Sequence, residues 1–308
     1  MPVDCIVATC ELVPRLDPDD RMLVTELRKR GVSVSIAVWN DPRVDWGAAA
    51  LCLVRSTWDY HRRYDEFLTW IERIASLTVV KNDPQLLRWN AHKSYLRDLE
   101  RRGVPVVPTL WLERGARASL REIAQAHGWR SLVLKPARGA ASHGVTLVRE
   151  DAASLANGEA CLEELLARDD VLVQPYLEAV VTYGERALIF LHGRYSHAAV
   201  KKPFDRILAV SSGPSSYARA TSDEIEIAAR AVAAVGGTPL YARVDLLKDD
   251  DGGVRVSELE LIEPTLYFAL HEPARRELAS AVERELELAA NPRRSEGVPV
   301  VSCRDAAQ

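Results

Sequence analysis

The residues best suited to chemistry lie near the end of the chain, in YARVDLLKDDDGGVRVSELELIEPTLYF, residues 241–268. Asp251-Gly252 stands between two alternating apolar runs. An Asp-Gly pair in that setting signals a two-residue hairpin turn, because both residues tolerate positive φ. A turn there pairs Asp245 with Glu258 and Arg243 with Glu260. Strand alternation then puts Arg243, Asp245, Glu258 and Glu260 on one face, and the apolar Val244, Leu246, Leu259 and Leu261 on the packed face. Like charges set opposite one another repel, so three carboxylates gathered on one face call for a cation. Hard oxygen ligands without Cys or His suit Mg²⁺, with Mn²⁺ as an alternative, and Mg²⁺ usually arrives with phosphates. The plainer alternative is an acidic face in solvent. A loop of three or four residues would shift this register.

A second cluster surrounds Lys135, in LVLKP followed by ARGAASHG. A lysine inside an apolar strand is costly to bury unless it is paired. The small residues after it let backbone N–H groups approach an anion. Together they would suit nucleotide phosphates, although an edge lysine beside a plain hairpin loop reads equally well. The pattern is not the G-x-x-x-x-G-K-[ST] phosphate loop.

The elements that must position these residues alternate at first between strand and helix. CIVAT, SVSIAVW, ALCLVRS and TVVKN read as strands. PDDRMLVTELRKRGV and RYDEFLTWIERIA read as helices, the first with acids in its opening turn, bases in its last and Gly31 as a stop. This βαβ rhythm predicts a parallel sheet, with ligands at the carboxyl ends of its strands. Arg55 to Tyr60 follow one such strand. Farther on, a helix is expected over 90–103, a strand or linker over 105–112, and helices over 117–128 and 159–168. VLVQPYL, ERALIFLHG and RYSHAAVKKP read as strands. A helix follows over 221–236, capped by Thr221 or Ser222, then the acidic hairpin, then a long helix over 271–290. The expected fold class is α/β: an N-terminal βαβ domain followed by two lobes with mixed or antiparallel sheets. The units are 1–88, 89–170 and 171–290, with a loose tail over 291–308.

The 308 residues, 47% hydrophobic and 27% charged, have an ordinary globular composition. The net charge of -4 comes without any basic stripe, which argues against a nucleic-acid partner. No run of apolar residues is long enough for a membrane span. The N-terminus lacks a secretory signal. Five scattered Cys, with no CxxC pair, suit a reducing cytoplasm. A sheet edge or the C-terminal helix could serve a homodimer. The scattered histidines receive no catalytic role.

In order, Lys135 with its loop, Gln174-Pro175-Tyr176-Leu177, Gly184-Glu185-Arg186, Arg243-Val244-Asp245 and Glu258-Leu259-Glu260 resemble the motifs of the ATP-grasp ligases, over about residues 87–264. The glutathione-synthetase and RimK-like branch is the most similar, and the βαβ part looks like that family's pre-grasp domain. The resemblance implies that Lys93 and Lys135 hold ATP phosphates while a loop including Gly139, Ser142 and Gly144 closes over them. It implies that Gln174, Tyr176 and Leu177 line the adenine slot and that Glu185 takes the ribose, with Glu178 as a second candidate. Asp245, Glu258 and Glu260 would hold Mg²⁺. Arg243, Arg186 or Lys201 would neutralise developing negative charge. One departure stands out: Glu260 occupies a position where the family usually has Asn.

The implied reaction is ATP-dependent C–N bond formation through an acyl phosphate, on a small amino-acid-like substrate bearing a carboxylate. Arg55 is the candidate carboxylate fork, with Ser56, Thr57, Asp59, Tyr60 and Asn82 completing recognition. A structured turn in which Trp58 and Tyr60 simply pack is the alternative. The string from Arg55 to His61, with ELELIEP, resembles the cyclo-ligases of cycloserine biosynthesis and their relatives. That resemblance implies intramolecular closure of an O-ureido-serine. An intermolecular carboxylate–amine ligase is the alternative. From other classes come a small-molecule kinase and a non-catalytic ATP-binding regulator.

Overall fold

The computed structural model describes residues 3–140, 143–201 and 215–290. Ser142 of the expected lid and the expected loose tail lie outside the described residues.

Three sheets carry the chain. The first has β1 (Val3–Thr9), β2 (Val34–Val38), β3 (Ala49–Ser56) and β4 (Val79–Lys81), all parallel, in the order β2-β1-β3-β4. The helix Pro18–Lys29 links β1 to β2, capped by Asp17, whose side chain accepts from the Asp20 N–H. The second sheet is antiparallel: β5 (Leu110–Leu112), β6 (Leu132–Pro136), β7 (Thr146–Val148) and β8 (Val171–Pro175), in the order β5-β8-β6-β7. β8 therefore lies at the heart of the middle unit.

The third sheet is also antiparallel. It contains β9 (Glu185–Leu191), β10 (Arg194–Lys201), β11 (Ser216–Ala218), β12 (Tyr241–Lys248) and β13 (Val254–Glu260), in the order β11-β10-β9-β12-β13. Leu188, Val244, Leu246 and Leu259 bury its inner face with Ala228, Ala231 and Val232 of the helix Ser222–Ala233. Thr221 and Glu224 form a reciprocal capping box at the start of that helix. The helix Glu272–Ala290 packs with the first sheet, sharing one core with Leu23, Leu27, Leu51 and Leu53. No described helix is long and apolar enough to cross a membrane.

Two differences from the expected elements matter for the site. The helix expected over 90–103 begins only at Tyr95 and runs to Arg101, and a separate helix, Pro84–Asn90, precedes it. The break between them projects Lys93. The hairpin turn is also not the two-residue Asp251-Gly252 turn. The Asp249 N–H donates to the Gly253 carbonyl at 2.9 Å, and Lys248 pairs with Val254, so three residues form the loop. Gly252 supplies the positive φ, at 81°. That loop alone would flip the register. A β-bulge at Ser257 restores it: Leu246 pairs with Val256, yet Asp245 pairs with Glu258 and Arg243 with Glu260.

Candidate active site

β12 and β13 deliver the expected acidic face. Asp245, Glu258 and Glu260 each offer a carboxylate oxygen, all within 4.8 Å of one another. Asp245 is fully buried. Its two oxygens accept from Arg243 Nε and Nη2, both at 2.9 Å, and Lys201 Nζ bonds Oδ2. Arg243 also bonds Glu260, and Lys93 bonds Glu258. Lys201 is shared with Glu185 at 3.1 Å. Each metal-type carboxylate thus faces at least one cation.

The charges respond to this crowding. Burial alone would raise the Asp245 carboxyl, but Arg243 and Lys201 hold it down to about 2. Burial likewise opposes ionisation of Glu258, and Lys93 with Lys135 together outweigh it, lowering the group. Glu260 goes the other way. Burial raises it, Arg243 compensates only in part, and Glu258 and Asp245 repel its charge, leaving it at about 7. Burial lowers Lys135, offset only partly by Glu258 and Glu185. In Lys93 the neighbouring Glu258 overcomes burial and the ammonium is favoured. Three oxygen donors that repel one another, with no Cys or His among them, fit a hard divalent cation.

A pocket opens beside these groups, lined by Tyr60, Lys93, Gly139, Ala140, Glu258, Glu260 and Glu263. The Lys93 N–H donates to the Ala137 carbonyl at 2.9 Å, tying the break between helices to the loop after Lys135. Gly144, at φ 75°, ends the loop. His143 brings its ring 4.9 Å from His61, so this loop meets the first domain there. Tyr176 and Leu177 are buried after β8, and Gln174 donates to Thr109 Oγ1 at 2.9 Å. Glu185 lies 2.8 Å from Ser257 Oγ and joins the carboxylate face through Lys201. Glu178 is exposed at the start of a short helix, Ala179–Thr182.

Several expected site residues do something else. Arg186 does not join the acidic face. Alternation along β9 sends Glu185 toward Lys201 but Arg186 to the opposite side, where Nε lies 3.8 Å from Glu224 and the guanidinium covers the Tyr183 ring. Arg55 is not an open fork. It is 1% exposed, bonds Asp20 Oδ1 through Nε at 2.7 Å, donates to the Pro264 carbonyl at 2.6 Å, and lies over the Tyr241 ring. Ser56 donates to Asp20, and Asp59 accepts from Trp39 Nε1. Asn82 spends its amide on backbone groups of Leu240, Tyr241 and Leu261. Thr57 is fully buried. Of the expected substrate residues only Tyr60 lines the pocket. Arg55, Ser56, Asp59 and Asn82 share one physical reason: a polar side chain at a buried strand end is used first to satisfy nearby buried backbone and charge.

Sequence reasoning did not single out Asn90, Tyr95 or Glu263. Glu263 lies three residues after Glu260, out of step with the two-residue spacing of Glu258 and Glu260, so alternation did not flag it. Asn90 and Tyr95 carried no local signal, because their partners lie more than 160 residues away.

A parallel first sheet followed by two antiparallel sheets, with lysines and carboxylates converging between them, is the architecture of an ATP-grasp ligase. D-alanine–D-alanine ligase from Bacillus anthracis complexed with ATP superposes with a TM-score of 0.66, over 96% of this chain and 100% of that one. At 16% identity that likeness shows the fold alone. The crystal structure of D-cycloserine synthetase DcsG is nearer, with a TM-score of 0.82 and 30% identity over 91% of this chain and 99% of that one. The cycloserine biosynthesis protein DcsG of Streptomyces lavendulae is 34% identical over 286 residues, 88% of this chain and 95% of the relative. Residues 5–82 match the D-cycloserine synthetase DcsG N-terminal domain. The chain belongs to the DcsG family and is an ATP-dependent ligase.

Proposed function

We propose that this ligase joins carbon to nitrogen by activating the carboxylate of a small amino-acid-like substrate, and that the substrate is an O-ureido-serine closed to cycloserine. The observation that carries the reading is the set of three convergent carboxylates matched by Lys93, Lys201 and Arg243. The substrate identity draws on the 34% identity to the cycloserine biosynthesis protein.

Attack of a carboxylate on the ATP γ-phosphate brings anions together. Lys93 and Lys135 are assigned to the nucleotide phosphates, and Gln174, Tyr176, Leu177 and Glu185 to the nucleoside. Arg243 and Lys201, beside the same carboxylates, are assigned to offset the negative charge that develops. Mg²⁺ held by Asp245, Glu258 and Glu260 would supply further positive charge at the phosphates. A substrate nitrogen then attacks the acyl carbon, the C–N bond forms and phosphate leaves. An acyl phosphate hydrolyses in water, so the Gly139–Gly144 loop is assigned to exclude water. Tyr60 is assigned to the substrate side.

The test is incubation with ATP, Mg²⁺ and O-ureido-serine, in parallel with pairs of amino acids, following ADP and product mass. ADP release with a cyclised product supports the reading. A dipeptide-like product would reassign the substrate, phosphorylation of an alcohol without any amine would make the protein a kinase, and absence of nucleotide binding would remove the reading altogether.

A further inference from the structure

β13 is the last strand of its sheet, so its outer backbone edge needs partners. Backbone supplies them at one end. The Val256 N–H donates to the Pro105 carbonyl at 2.8 Å, and the Val107 N–H to the Val256 carbonyl at 3.0 Å. Beside the carboxylates, side chains replace the missing strand. Leu259 N–H donates to the Tyr95 hydroxyl at 3.1 Å. Asn90 Nδ2 donates to the Leu259 carbonyl at 2.7 Å, and Asn90 Oδ1 accepts from the Leu261 N–H at 2.7 Å. One amide therefore brackets Glu260 on both sides, and with Tyr95 it fixes the residue between Glu258 and Glu260. Successive residues of a strand direct their side chains to opposite faces. Fixing the peptides of Leu259 and Leu261 therefore fixes where the two carboxylates aim.

The same segment carries Lys93, whose Nζ bonds Glu258 and whose N–H is tied to Ala137. We propose that Asn90 is a positioning residue for the divalent cation, acting through the β13 backbone. This rests on the assignment of Asp245, Glu258 and Glu260 as the cation's ligands. A displaced supporting hydrogen bond commonly costs roughly 10- to 100-fold in metal affinity.

Asn82 is the natural control. It is an equally buried amide that also holds backbone, at the Leu261, Tyr241 and Leu240 groups, but it brackets neither glutamate. The experiment is titration of the full chain with Mn²⁺ by electron paramagnetic resonance, with and without a non-hydrolysable ATP analogue, alongside thermal unfolding. Asn90→Ala should weaken Mn²⁺ in the nucleotide complex about tenfold, whereas Asn82→Ala should lower thermal stability and leave Mn²⁺ affinity within twofold. Tyr95→Phe, which removes one hydroxyl, should weaken Mn²⁺ by a smaller factor and carries the test if Asn90→Ala does not fold. Wild-type Mn²⁺ affinity in a folded Asn90→Ala protein, or in Tyr95→Phe where that protein alone folds, would overturn the proposal. Equal weakening in Asn90→Ala and Asn82→Ala would do the same. Failure of the wild-type protein to bind Mn²⁺ with the nucleotide would instead remove the cation assignment itself.

Discussion

Two polar segments, one within the β12–β13 hairpin and one at the end of β3, meet different fates in this molecule. In β12 and β13, Arg243, Asp245, Glu258 and Glu260 crowd onto one face, and the two glutamates border a pocket. From Arg55 to Asp59 the polar side chains turn inward, and those of Arg55, Ser56 and Asp59 take protein partners: Asp20, the Pro264 carbonyl and Trp39. The first region concentrates like charge, which the fold tolerates only with cations beside it. The second neutralises its charge internally and braces the loop after β13. Asp19 adds to that brace, accepting from the Leu266 and Phe268 N–H groups at 2.9 and 2.6 Å. Polarity at a strand end thus serves either a site or a scaffold. The partner of each side chain separates the two.

The contrast can be broken most forcefully at the acidic face. Glu258→Gln or Glu260→Gln should reduce ligase turnover on the order of 10³-fold, since a metal-held charge contributes several kcal/mol in the transition state. Circular dichroism should remain that of the parent. Turnover near the parent rate at low Mg²⁺ would remove these residues from the cation site.

Arg55→Ala tests the other region. Removing one partner of a buried ion pair costs about 3–5 kcal/mol, so denaturant unfolding should show a large loss of stability. An unchanged midpoint with a raised KM for the carboxylate substrate would return Arg55 to substrate binding.

A smaller effect is expected from pH. His197, buried on β10, has Nε2 3.0 Å from the Leu266 carbonyl. Burial, and then His271, lower its pKa from 6.5 to about 4. The unfolded chain binds the proton more tightly, so stability is present above pH 6.5 and is lost as pH falls through that window toward 4. The full contribution is about 3 kcal/mol. His197→Gln should flatten the unfolding free energy between pH 6.5 and 4. An undiminished slope would assign it to other groups.

The smallest effect sharpens the comparison within one strand. Arg186→Ala should leave turnover within about fivefold, because an interaction remote from the reacting atoms is worth around 1 kcal/mol or less. A hundredfold loss would mean that Arg186 reaches the site despite facing Glu224.

Much of the site could be read directly from local pattern. Alternation in residues 241–261, the lysine in LVLKP and the order of the motifs located the acidic face, its cations and the fold class. Even the register near the carboxylates was right, though for an incomplete reason: a three-residue loop and a bulge at Ser257 cancel one another. A bulge leaves little trace in polar and apolar alternation, so the compensation was invisible there. The non-helical stretch that turns Lys93 toward Glu258 left no trace in the pattern, because 90–103 has no Pro or Gly before its end.

What the sequence determined by itself follows from short-range geometry, because side chains in a strand alternate with period two wherever the strand lies. What only the tertiary structure decided is which polar groups remain available for chemistry. Arg55 meets Pro264, Asn82 meets Leu261 and Asn90 meets Leu259 across well over a hundred residues. A buried donor or acceptor must be satisfied by whatever the fold brings near it, and that neighbour is fixed by packing rather than by local spacing.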